Sequence, residues 1–199
     1  MMGGTVDVVL DLRVPPAGQL LVPMDRNEFY RLSEAEDFPR KSEWYDGLCV
    51  VTGPSLPHGL AAVELICLLN PLVSNDHYLL SEVGWDAPSG HFIPDMVVCR
   101  VDAPAGRWLE SAPMLVVEVL SPSTRRGDLT RKRELYAAEG VAWYWVVDPD
   151  APSVLVFERQ AGELVEVQRI GPGDVAETVG PYALRLSPDE LVRRVLRAD

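Results

Sequence analysis

The chain has 199 residues, 47% of them apolar and 24% charged, which are the values of a globular protein with room for one good core. A net charge of −12 argues against a non-specific nucleic-acid binder, which relies on Lys and Arg. No apolar run approaches the ~20 residues of a membrane span, no basic-then-apolar signal opens the sequence, and Cys49, Cys67 and Cys99 form no CxxC pair, so a cytoplasmic protein without disulfide framework or zinc knuckle is expected.

In chain order, residues 1–23 carry "VPPAGQLLVP" and read as an extended leader, which leaves 24–199 as a single domain. Asp25–Asp37 predicts a helix capped by Asp25, with Glu28 three residues on. Glu43–Gly53 predicts strand, tight turn at Asp46-Gly47, and strand. A long helix starts near Pro57 or His58, with Leu60, Val63, Leu65, Ile66, Leu68 and Leu69 giving a wide apolar face. "HYLLSEVGWD" and "HFIPDMVVCR" follow as two strands, with His77 and His91 read as loop residues, and "APMLVVEVLS" is the central strand.

"TRRGDLTRKRELYAAEG" predicts a helix with Asp128 near its start and Gly140 as C-cap. "VAWYWVVDPD" is a strand closed by the Asp148-Pro149-Asp150 turn, "SVLVFERQAGELVEVQRI" is a hairpin, and "SPDELVRRVLRAD" is a capped helix with its basic residues late. Helices interspersed with runs of strands predict a mixed α+β or α/β sheet with helices packed on it. Trp108, Trp143 and Trp145 read as core or interface residues. Neither a Gly-rich phosphate loop nor a GxSxG elbow occurs, so kinase, dinucleotide-binding and α/β-hydrolase readings have no support.

The central strand poses a question. "MLVVEVL" is apolar on both sides of Glu118, as in a strand buried on both faces. A carboxylate there loses its hydration at a cost of several kcal/mol. An Arg or Lys partner, a proton or a metal ion would each compensate. Upstream, "FIPDMVVC" puts Asp95 beside a proline at the start of another apolar run. If the two strands are neighbours, Asp95 and Glu118 point to one spot, where repulsion calls for a proton or a cation. Oxygen ligands of this kind suit Mg²⁺, and the Val119 carbonyl is a candidate third ligand. Lys132 and Tyr136, four apart on the following helix, are candidates to reach the same place. Between Ser121 and Leu135 stand five basic residues against two acidic ones. This is either a solvated face or, through Arg125 and Arg126, a phosphate contact.

"PD…EVL" followed by a helix resembles the PD-(D/E)XK nuclease superfamily. "IPDMVV", "LVVEVLSPSTRRGDLTRKRELYAAEGVAWYWVVDPD" and "VLVFE" resemble, more closely, the Uma-two family of restriction endonucleases, over about Asp25 to Ala183. The resemblance implies a restriction-endonuclease-like fold and Mg²⁺-dependent hydrolysis of DNA phosphodiesters, with Mn²⁺ as a substitute ion. It implies Asp95 and Glu118 as metal ligands. The usual lysine two residues after the acid is absent, since position 120 is Leu, and the family pattern supplies it from the helix as Lys132. Glu43 matches an early acid that would join Asp95, Glu118 and Lys132 in catalysis, His58 matches a histidine at the start of the long helix, and His58, Arg125, Arg126 and Tyr136 are the candidate substrate contacts. Two alternatives stand beside this reading: a nuclease fold that binds or assembles without cutting, and a structural Glu118–Lys132 pair. A homodimer is expected, through strands near Trp143–Val147 and Val154–Glu158 that read as exposed.

Overall fold

The computed structural model describes residues 19–53, 55–103, 106–121 and 128–196. The first described strand, β1 (Gln19–Pro23), takes in the last five residues of the expected extended leader and pairs antiparallel with β3 (Leu48–Thr52), from Gln19↔Thr52 to Pro23↔Leu48, and residues 1–18 of that leader lie outside the described residues. Between them lie α1 (Arg26–Ser33) and β2 (Ser42–Tyr45). Asp25 caps α1 by accepting from the Glu28 amide at 2.9 Å, and the helix stops four residues earlier than predicted. Asp46 and Gly47 both have positive φ (53° and 74°), which is the turn geometry a two-residue hairpin demands.

The helix α2 (Leu56–Leu69) is capped by Ser55. It is apolar nearly all round, so its buried side is not legible from pattern. The buried stripe is His58, Ala61, Leu65 and Leu69, while Val63, expected inside, is 54% exposed.

The two long strands expected next each break in two. "HYLLSEVGWD" becomes β4 (His77–Ser81) and β5 (Trp85–Ala87), and "HFIPDMVVCR" becomes β6 (Gly90–Phe92) and β7 (Met96–Arg100). The break at Ile93-Pro94-Asp95 has a physical cause, because Pro94 has no N–H for a ladder. The halves go to different sheets. One sheet has order β1-β3-β2-β6-β5. The other has order β11-β10-β9-β8-β7-β4, with β8 (Leu115–Val119), β9 (Trp143–Asp148), β10 (Ser153–Gln160) and β11 (Glu163–Ile170). His77 and His91 thus lie on strands, not loops. All neighbours are antiparallel except β8 and β9, and the β8–β9 crossover carries a π-helical turn (Asp128–Lys132) running into α3 (Arg133–Glu139). Gly140, at φ 93°, ends α3 as predicted. The final helix is α4 (Pro188–Leu196).

Alternation on β7, β8 and β9 gives the second sheet two buried faces. Met96, Val117, Val119, Trp145 and Val147 pack with α2 and α4. Val97, Val116, Leu120, Tyr144 and Val146 pack with Tyr136 of α3 and with Trp85 and Phe92 of the first sheet. This sandwiching explains why β8 reads as a continuous apolar run. It also corrects the expectation of exposed strands: β9 pairs with β8 and β10, and β10 pairs with β9 and β11, so both are interior. The edge positions belong to β4 and β11. No described helix is long and apolar enough to cross a membrane.

Candidate active site

The register of β7 on β8 pairs Met96 with Val117 and Val97 with Val116. Extended by one residue, it sets Asp95 opposite Glu118 on the face shared with Val97 and Val116. The two carboxylates therefore share one spot, each almost fully buried (4% and 3% exposed). Asp95 is tied by its strand partner, since the Val119 N–H donates to its Oδ2 at 2.7 Å.

The crossover supplies the cation. Lys132 Nζ donates to Glu118 Oε1 at 3.0 Å and lies 2.8 Å from Glu43 Oε2. The Tyr136 hydroxyl donates to the same Glu118 oxygen at 2.7 Å. The five-residue π-helical turn ends at Lys132, and such turns recur at functional sites. Burial, and then the Glu118 charge, push the Tyr136 hydroxyl well above its ordinary value, so it stays a donor.

Glu43 comes from the other sheet. Its Oε1 accepts from the Ile93 N–H at 2.8 Å, across the β2–β6 pairing. Lys41, two residues earlier on the same side of the chain, reaches Asp95 Oδ1 at 2.5 Å and Glu82 at 3.2 Å. His58, at the first turn of α2, places Nε2 3.0 Å from Asp95 Oδ2. Its Nδ1 is buried with no hydrogen-bond partner among the described residues. Burial by itself would raise the Asp95 carboxyl. The His58 hydrogen bond and the Lys41 charge outweigh it and hold Asp95 at about 2. Burial would lower the Lys41 ammonium, yet Asp95 raises it above its ordinary value, helped by the more distant Glu118 and Glu82.

Sequence reasoning named Glu43, His58, Asp95, Glu118, Val119, Lys132 and Tyr136, and the fold brings all seven together. It missed Lys41. The signal was its i,i+2 spacing from Glu43, which alternation puts on one side of a strand. Tyr136, expected as a substrate contact, is 0% exposed and stands behind Glu118 instead. Arg125 and Arg126 lie outside the described residues.

Lys41, Glu43, His58, Asp95, Glu118, Val119 and Lys132 close around a cavity of about 20 Å³, lined also by Thr52, Gly53 and Ser121. That volume exceeds the roughly 10–15 Å³ one water requires. Among the described residues no group of three or more His, Cys, Asp or Glu could hold an ion by side chains alone. Two carboxylates with main-chain and water oxygens are nonetheless a donor set that Mg²⁺ accepts, because it keeps several waters. The residues present fit such an ion.

The family model described as "Uma2: Putative restriction endonuclease" matches residues 26–187. The crystal structure of a "putative nuclease belonging to DUF820 from Anabaena variabilis ATCC 29413" is similar at TM-score 0.68 and 22% identity, over 84% of this chain and 96% of that one. The mixed α+β architecture is thus restriction-endonuclease-like. No match was found among curated proteins.

Proposed function

The chain belongs to the Uma2 family, and from that premise we propose that it is a metal-dependent endonuclease that hydrolyses DNA phosphodiester bonds at the Asp95–Glu118–Lys132 centre. One observation carries the reading: two carboxylates set opposite each other at strand ends, with a buried lysine on one of them, around a space the size of a water or an ion.

In this reading Asp95, Glu118 and the Val119 main chain hold Mg²⁺, which Mn²⁺ replaces. The ion would acidify a water and offset charge building on the phosphate. The chain's own residues do the rest. The Val119 N–H and His58 fix the Asp95 carboxylate, and Tyr136 fixes Glu118. Lys132, held between Glu43 and Glu118, presents a fixed positive charge to an attacking water or a phosphate oxygen. Glu43 keeps that ammonium in place from the opposite sheet. The setting implied is cytoplasmic, and two copies of the chain would place one site on each strand of a duplex.

The test is cleavage of plasmid and single-stranded DNA with Mg²⁺, Mn²⁺ or EDTA, wild type beside Glu118→Ala. Cleavage that needs both ion and Glu118 supports the reading, and full activity in the variant removes it. A second reading rests on a specific observation. Lys132 and Lys41 already neutralise the buried carboxylates at 2.5–3.0 Å, so the centre is complete as a structural ion-pair network. A nuclease fold that binds without cutting would show DNA binding with no metal-dependent strand breaks.

A further inference from the structure

One residue away from the carboxylate centre lies a cavity of about 400 Å³. It falls within the roughly 300–1,000 Å³ of ligand pockets. Ser42 and Ile93, two of its lining residues, adjoin Glu43 of the centre. Ser42 precedes Glu43, and the Ile93 N–H is the donor to Glu43. The far wall is aromatic. His91, 2% exposed, is surrounded by rings: Trp108 at 4.8 Å between centroids, Phe29 at 5.4 Å and Tyr30 at 5.8 Å. Phe38 continues this surface, 5.8 Å from Phe29.

His91 Nδ1 is buried and has no hydrogen-bond partner among the described residues. Buried polar atoms nearly always have one. Burial holds the His91 ring below its ordinary value, so near neutral pH one ring nitrogen donates and the other accepts. The lining carries charges of both signs. Arg107 stacks over Trp108 at 4.5 Å, and Arg40 lies exposed beside it. Glu34 and Glu36 offer carboxylate acceptors, which suit the amino groups of a base and repel a bare phosphate. Two Arg against two Glu leave the lining without a net charge to draw an anion, and its rings suit a flat, hydrogen-bonding, aromatic group. Trp108, read as a core or interface residue on sequence grounds, is half-buried and lines this space.

We propose that this cavity takes an unpaired nucleobase of the strand whose phosphate lies at the neighbouring carboxylate centre, stacked against the Trp108–His91 wall. The proposal rests on the nuclease reading for the position of that phosphate.

The test is fluorescence anisotropy of labelled single-stranded DNA oligonucleotides, in EDTA so that no cleavage occurs. One oligonucleotide carries all its bases and one is abasic at central positions, with deoxynucleoside monophosphates as competitors. Wild type should prefer the base-bearing strand on the order of tenfold, as expected for one stacked base. Trp108→Ala should remove that preference and leave abasic binding unchanged. His91→Phe, which keeps the ring packing, should retain the preference but lose discrimination among bases. Equal binding of both strands by wild type would overturn the proposal. So would monophosphates binding more tightly than the strand, which would make this a free-nucleotide site. The two readings fail separately. Base preference without any metal-dependent cleavage leaves the pocket standing and removes the enzyme, and cleavage with indifference to abasic sites does the reverse.

Discussion

Arg131 grips Asp46 through two hydrogen bonds of 2.5 Å each, fastening the turn of the β2–β3 hairpin to the residue before Lys132. The Arg131 hydrogen bonds, aided by its charge, hold the Asp46 carboxyl below its ordinary value. Both side chains are about 40% exposed, so the pair stabilises the fold by at most about 1 kcal/mol. Its larger effect is positional, since it joins the strand that carries Glu43 to the turn that carries Lys132. Arg131→Ala should shift the urea midpoint little and lower metal-dependent cleavage by about tenfold or more, as misplacement of a reacting group does. Unchanged cleavage would show that Lys132 needs no such brace.

The buried pair itself should behave differently. Lys132→Met leaves Glu43 and Glu118 buried without their shared cation, a loss of about 3–5 kcal/mol. Glu118→Gln with Lys132→Met should recover part of it. Urea unfolding of both variants checks this. Calorimetric Mn²⁺ titration of Glu118→Ala, which should lose the ion, checks the ligand assignment.

Asp95 gives a pH signature. Its carboxyl is lower in the folded chain than its unfolded 3.8, at about 2, so its contribution to stability is complete above 3.8 and fades as pH falls through about 2. Asp95→Asn should be less stable than wild type at neutral pH, and the difference should shrink as pH drops across that window. Parallel urea titrations between neutral pH and pH 2 measure it. A constant difference would place the Asp95 effect in packing rather than charge.

Gly90 allows no side chain. A Cβ there would stand 2.6 Å from the Trp44 carbonyl oxygen, a main-chain atom in the paired strand. Gly90→Ala should therefore destabilise by about 1–3 kcal/mol and shift β2, with Glu43, away from Lys132. Thermal unfolding and cleavage should fall together.

Much of this centre was legible because it depends on short-range rules. Alternation and a proline at a strand start bring Asp95 to Glu118. An i,i+4 spacing brings Lys132 and Tyr136 to the same oxygen. The Asp46-Gly47 turn and the Gly140 cap also follow from local chemistry. Other features depend on which sheet a segment joins, and pattern does not carry that. "HFIPDMVVCR" looks like one strand because both halves are apolar, and only pairing sends β6 and β7 apart. The burial of β9 and β10 is likewise a property of their neighbours. Lys41 was missed because it stands just before a strand, where alternation is easily overlooked.

The chain passes from one sheet to the other through Ile93-Pro94-Asp95, and the consequence reaches beyond geometry. Glu43 and Lys41 belong to one layer, and Asp95, Glu118 and Lys132 to the other, so the ionic contacts that define the centre are also the rivets between the layers. Mutational drift cannot strip the acids from this protein without loosening the joint. A lineage that gave up cutting would have reason to keep these residues, so their presence in a relative testifies to architecture before it testifies to chemistry.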